Sequence, residues 1–260
     1  MRLRRNGCTV LAAEPGVSEP RPLSNPPVKL AIFDIDGTLL DNDKEEDTCF
    51  SHALRDVLSL PALDTEWSHY RDVSDDGVAG EAYRAAHGAA LPCNLRAATI
   101  TRFLALLAAH VGTAGLRCVR GAEHITVRLA EHGWAAALAT GAWREAAEFK
   151  LSVAGIQYAT LPFATSEDGP GRTQIVAAAH ARAAAAAPAG SFERVVCVGD
   201  GVWDVDTARA LALPFVGIGS GRRAELLRAR GATSVLASFD DPSGVLDALE
   251  TAVQPLAPVR

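Results

Sequence analysis

The sequence predicts an α/β fold in which a doubly wound parallel sheet carries an inserted small helical cap domain. Three observations carry this expectation. Short apolar runs end abruptly at acids or glycines as buried strands do, stretches of helical periodicity alternate with them, and one long segment after the first run breaks the alternation. Strands that alternate with helices make βαβ units, and such units make a parallel sheet covered on both faces.

Taken in order, residues 28–33 follow Pro26-Pro27 and stop at Asp34, which is the signature of a buried first strand. Residues 44–117 then show helical patterns at 45–58, 81–87 and 95–111 and no strand. Because Gly37-Thr38-Leu39-Leu40-Asp41-Asn42-Asp43 leads into this segment directly from the first strand, it should hang over that strand's C-terminal end and act as a lid. Further strands are expected at 134–139, 194–198, 214–218 and 233–236, with helices at 122–132, 143–153, 172–187, 203–211, 222–230 and 242–251. The alanine-rich run 177–189 reads as ordinary helix between Arg172 and Pro188. The expected division is a flexible tail at 1–27, a core from 28–43 and 118–260, and a cap at 44–117.

Composition narrows the partners. The chain has 260 residues, 48% hydrophobic and 22% charged, with 25 basic against 31 acidic side chains and a net charge of -6. A pI near 5.6 gives no basic field to hold nucleic acid or an acidic membrane. The longest apolar stretch, 103–116, is interrupted by His110 and is too short to cross a bilayer as a helix. Cys8, Cys49, Cys93, Cys118 and Cys197 show no C-x-x-C spacing and are odd in number, so neither a disulfide framework nor a zinc site is expected, and a cytoplasmic location is the simpler reading. Residues 1–6 are basic, but the apolar run behind them is too short for a signal peptide.

Three strand ends carry chemistry. Asp34-Ile35-Asp36-Gly37-Thr38 sets two carboxylates beside a glycine that lets the chain turn sharply, an arrangement suited to a divalent ion and phosphoryl chemistry or, more blandly, to a solvated acidic turn. Thr140-Gly141 joins the second strand to a helix, where a hydroxyl and helix N-terminal N–H groups bind an anion or simply cap the helix. Asp200 ends another strand and Asp204 follows one helical turn later, so both acids can face one ion, with N-capping by Asp200 as the alternative.

An acid pair, a Thr-Gly and a second acid pair in this order resemble the haloacid dehalogenase-like superfamily of phosphohydrolases, and the resemblance extends from Val28 to Leu249. It is closest to the phosphoglycolate phosphatase-like branch with a small helical cap, and it implies a Rossmann-like core. It also implies that Asp34 is the nucleophile and that Asp36 protonates the leaving oxygen and later activates water. Thr140 and Gly141 would hold phosphoryl oxygens, and Asp34, the backbone carbonyl of Asp36 and Asp200 would bind magnesium (Mg2+), with Asp204 in support. The dehalogenases that named the superfamily lack the second acid, so dehalogenation is not expected.

One feature departs from the pattern: the lysine usual upstream of the last motif is missing, and the only lysines are Lys29, Lys44 and Lys150. Arg172, at the start of a helix, is assigned that role, since a guanidinium can neutralise the same charge. Lys150 lies about two turns along its helix, with its Cα carried roughly 12–15 Å from the site, so a surface or helix-end role is expected and its substitution should be silent. The seven histidines show no pair at ligand spacing, and Trp203 is read as packing the helix start. Within the cap, Trp67, Tyr70, Arg71, Asp76 and Gly77 either face the substrate or form packing plus a turn. The expected function is magnesium-dependent hydrolysis of a phosphomonoester on a small metabolite by a monomer or homodimer. The alternatives are phosphoglucomutase-type transfer and a phospholigand-binding protein without turnover.

Overall fold

The computed structural model describes residues 29–41 and 44–257; the tail expected at 1–27 lies outside them. Six parallel strands form one sheet in the order β3-β2-β1-β4-β5-β6. They are β1 (Lys29–Phe33), β2 (Trp134–Ala139), β3 (Phe163–Ala164), β4 (Arg194–Gly199), β5 (Phe215–Ile218) and β6 (Val235–Leu236). The sheet and its wound topology match the expected fold class. β3 is an addition to the strands read from sequence: its two residues pair with Leu138 and Ala139, and so short a run carries no periodicity of its own.

Alternation along the strands fixes the two faces. Ala31 and Phe33 point with Ala136, Leu138, Val196 and Val198 into one cluster, which α4 (Ile125–Glu131), α5 (Arg144–Val153) and α9 (Pro242–Thr251) close from that side. Leu30 and Ile32 point the other way, onto Ile175, Ala179 and Ala183 of α6 (Arg172–Ala186). On that same face Cys197 and Phe215 meet Val205 and Ala208 of α7 (Val202–Ala210) and Leu227 of α8 (Gly221–Arg230). The small alanine faces of α6 let it lie close to the sheet, and the alanine-rich run is ordinary helix as far as Ala186.

Between β1 and β2 the chain forms α1 (Lys44–Leu58), α2 (Asp75–His87) and α3 (Cys93–Ala114), and no strand among the described residues of that stretch. α2 begins earlier than its sequence pattern because Ser74 caps it, its Oγ accepting from the Gly77 N–H at 3.1 Å. Asp76 and Gly77 therefore sit in a helical first turn and not in a loop turn. The three helices bury a cluster of their own, with Phe50, Leu54, Val78, Ile100, Phe103 and Leu107 at its centre, and Trp143 and Ala146 complete it from the sheet-bearing part. α3 is long and apolar enough to cross a membrane by length and composition, and the 103–116 stretch is only part of it. On its inward face Ile100, Phe103, Leu107 and Val111 pack into this cluster. The insertion leaves and rejoins the rest of the chain at one place: Leu40 and Cys118 form an antiparallel bridge, and the Asp41 N–H donates to the Arg117 carbonyl at 2.8 Å.

Candidate active site

The strand order reverses between β1 and β4, which is where open α/β sheets bind ligands. Asp34 leaves β1 with its N–H still in the sheet, donating to the Val198 carbonyl at 2.9 Å, and Asp200 leaves β4 beside it. The chain after Asp34 turns tightly, with the N–H groups of Thr38, Leu39 and Leu40 all directed at the Ile35 carbonyl. Gly37 is required twice in this turn. Its φ is +82°, and a Cβ there would lie 2.1 Å from Asp200 Oδ2. Asp204 is held inward by α7, its Oδ2 accepting from the Gly201 N–H at 3.0 Å.

Asp34, Asp200 and Asp204 thus converge, each offering an oxygen within 4.8 Å of the others. Burial is the main force on all three carboxyls and raises each. It acts on Asp34 against the pull of Arg172, takes Asp200 well above the usual carboxylate range with help from Asp34 and Asp204, and takes Asp204 to about 7. Three buried carboxylates facing one another are costly unless a cation sits among them, and all-oxygen donors suit a hard divalent ion. The residues fit magnesium. Among the described residues no other set of three or more His, Cys, Asp and Glu side chains is grouped in this way.

Arg172 supplies a side-chain cation. From the first position of α6 its Nη1 donates to Asp34 Oδ1 at 2.9 Å and lies 3.5 Å from Asp204 Oδ1, while its Nε donates to the Val73 carbonyl of the insertion at 3.0 Å. Arg223, absent from the sequence expectations, pairs with Asp200 Oδ2 at 3.2 Å. Thr140 is buried at the end of β2, its Oγ1 accepting from the Ala142 N–H at 3.1 Å. The N-terminus of α5 is not simply open: the Trp143 N–H goes to Asp75 Oδ2 at 2.8 Å and the Arg144 N–H to Glu167 Oε1 at 3.4 Å. The insertion therefore brings its own carboxylate to this helix end, and burial pushes the Asp75 carboxyl up to about 8.

The expectation for Lys150 is overturned. Its side chain is fully buried, and its Nζ donates to Asp36 Oδ1 at 2.5 Å and to Glu46 Oε1. The Cα distance misled because side chains lean toward the helix N-terminus and a lysine stem spans several ångströms. Burial works against this ammonium, yet Asp36 and Glu46 together hold it well above the ordinary lysine range. Asp36 is thereby separated from the carboxylate trio, its side chain turned to Lys150. Burial raises the Glu46 carboxyl to about 7.

A cavity of about 400 Å³ lies between these strand ends and the insertion, lined by Asp36, Glu46, Asp75, Thr140, Gly141 and Arg172 with the aromatic faces of Phe50, Trp67 and Trp203. Asp34 lies behind this lining, bonded to Arg172, which forms part of it. An outer groove of about 680 Å³ shares Val73, Arg172 and Trp203 with this cavity. Of the expected cap cluster only Trp67 reaches the cavity, its Nε1 donating to Asp47 Oδ1 at 3.0 Å. Tyr70 and Arg71 line the outer groove, and Asp76 is locked by Arg96 at 2.5 Å and Trp143 Nε1 at 2.8 Å. Trp203 does more than pack: its ring lies 5.9 Å from the Arg172 guanidinium, and its buried Nε1 has no hydrogen-bond partner among the described residues.

A family model described as hydrolase, haloacid dehalogenase-like hydrolase, matches residues 28–211. The chain belongs to this family. Three solved structures share the fold. A hydrolase from Pseudomonas syringae aligns with a TM-score of 0.64 at 19% identity, over 84% of this chain and 98% of that one. A predicted phosphoglycolate phosphatase from Haemophilus somnus 129pt aligns at 0.58 and 16% identity, over 84% and 97%. CbbY from Rhodobacter sphaeroides in complex with phosphate aligns at 0.60 and 19% identity, over 84% and 98%. No curated protein matches the sequence. In this chain the end of β1 carries Asp34 and Asp36, the end of β2 Thr140 and Gly141, and the end of β4 Asp200, with Asp204 in the first turn of α7.

Proposed function

We propose that this haloacid dehalogenase-like hydrolase is a magnesium-dependent phosphomonoesterase acting on a small phosphorylated metabolite. The observation that carries the reading is the convergence of Asp34, Asp200 and Asp204 beside Arg172, under a cavity of about 400 Å³ of the size that takes a small ligand. Asp34 attacks phosphorus and forms an aspartyl-phosphate; Asp36 gives a proton to the departing oxygen and then takes one from the water that hydrolyses the intermediate. Arg172 pairs with phosphoryl oxygens, and Thr140 and Gly141 orient them at the end of β2. Asp34, Asp200, Asp204 and the Asp36 carbonyl would hold magnesium, which when bound neutralises phosphate charge. Asp36 supports hydrolysis over dehalogenation, since leaving-group protonation serves an ester oxygen.

The test is phosphate release by the purified protein from a panel of phosphorylated metabolites, with magnesium present and then chelated. Magnesium-dependent release from at least one monoester is expected. Transfer to a sugar phosphate without release would move the reading to a mutase, and ligand-induced stabilisation without either reaction would move it to a binding protein.

A further inference from the structure

We propose that Lys150 is a positioning residue for Asp36, and that Glu46 of the insertion sets how firmly it holds. The inference rests on the reading of Asp36 as the group that moves the leaving-group proton. It starts from an ammonium that the phosphoryl chemistry itself leaves unused. Lys150 lies in α5, on the sheet-bearing part of the molecule, and has no exposed side-chain surface. Its two carboxylate partners come from different parts of the fold: Asp36 from the turn after β1, Glu46 from the first turn of α1 in the insertion. Burying an ammonium costs several kcal/mol unless it is paired, so the two carboxylates together hold the charge in place, and loss of either weakens the hold on the other. Asp75, on the neighbouring helix of the insertion, adds a third carboxyl facing the same group of charges.

Asp36 sits on a turn, where its carboxylate has several rotamers of similar energy. Lys150 selects among them by fixing Oδ1 at 2.5 Å, and the side chain still keeps 30% of its surface open on the cavity wall. Lysine suits the task because one ammonium donates in three directions and so binds both carboxylates at once. Arg172 stands in the parallel position on the other catalytic carboxylate, bound to Asp34 and to the Val73 carbonyl of the insertion. Each acid of the pair is thus held by a cation that also grips the insertion. Seating α1 on the cavity completes the partner set of Lys150 and locks the proton-transfer geometry; lifting it removes Glu46 and frees the Asp36 rotamer.

A positioning role and a merely structural ion triad differ in one readout. kcat/KM reports steps up to departure of the alcohol, so a fault confined to the proton at Asp36 appears only when the leaving oxygen needs that proton. The experiment compares β-glycerol phosphate, whose alkoxide must be protonated, with 2,4-dinitrophenyl phosphate, whose phenolate need not be. For Lys150→Met, kcat/KM is expected to fall by about 100-fold on the first and less than about threefold on the second, the range of general acid catalysis. Glu46→Gln keeps the ammonium and its bond to Asp36, and is expected to show the same selective pattern at about tenfold. Should Lys150→Met not fold, as judged by circular dichroism and a thermal melt, Glu46→Gln alone decides. Equal losses on both substrates, or none, overturn the positioning role while leaving the phosphatase reading intact. A wild-type protein that hydrolyses neither overturns both.

Discussion

Truncating Arg172 to alanine removes a guanidinium that makes two hydrogen bonds in different directions, to Asp34 Oδ1 at 2.9 Å and to the Val73 carbonyl at 3.0 Å. The first is charge-assisted and buried. A contact of that kind, preorganised toward charge that develops in the transition state, contributes about 10²–10³ in turnover, roughly 2.7–4 kcal/mol. The second joins a cation to a neutral carbonyl; its loss is worth ~1.5 kcal/mol or somewhat less after discounting for the exposed end of the side chain, hence up to about tenfold. Arg172→Ala loses both and should therefore lower turnover of 4-nitrophenyl phosphate by about 100-fold to 10,000-fold. Arg172→Lys keeps the charge but has one nitrogen for two acceptors, and should fall by only about five- to tenfold. The assay is steady-state nitrophenol release at saturating magnesium, with thermal melts to confirm folding. Alanine retaining more than about a tenth of wild-type turnover would refute the assignment of the cation. Lysine as inactive as alanine would show that the fork, not the charge, is what matters.

Asp34→Asn should abolish turnover on every phosphomonoester, and Asp36→Asn should lose at least about 100-fold on alkyl phosphates and less on activated aryl phosphates, both read as phosphate release. Magnesium should raise the melting temperature of the wild-type protein, with ~2.7 kcal/mol of stabilisation at a hundredfold excess over its dissociation constant, and Asp204→Asn should shrink that shift. Burial places the Asp75 carboxyl at about 8 in the folded chain against an ordinary value of 3.8. The folded state then holds a proton that the unfolded state releases, so this contribution to stability is full below about pH 4 and lost as pH rises to about 8. Melts across that range should show a falling slope that Asp75→Asn flattens; an unchanged slope would place the proton elsewhere.

Much of this was legible because the chemistry lies where apolar runs stop. Asp34 and Asp200 end strands whose neighbours are buried on both faces, and such runs can be read without knowing the fold. Asp204 followed from helical spacing alone. Lys150 escaped because distance was reckoned between backbones, whereas its side chain leans back along α5 into a space created by α1. Glu46 and Asp75 escaped for a related reason: near helix starts, acids read as favourable partners of the helix dipole, and nothing local says that another element will bury them. Arg223 belongs to α8, and only the winding of the sheet brings it to Asp200. What sequence periodicity omits is the identity of the neighbours that tertiary folding supplies.

The crossing at Leu40 and Cys118 has a further consequence. Since the outgoing and returning segments touch there, with Arg117 also paired to Asp41 at 3.4 Å, the two ends of the helical insertion are held together like the rim of a closed socket. Its length is nearly irrelevant to the entropy of joining the two ends. A short linker from Asp41 to Arg117 would leave every strand pairing of the sheet in place, and a foreign module could be spliced across the same two residues. Such a graft would inherit the carboxylate trio unchanged. It would have to bring its own acid for Lys150 and its own carbonyl for Arg172, so the socket is portable while the two cation contacts are not.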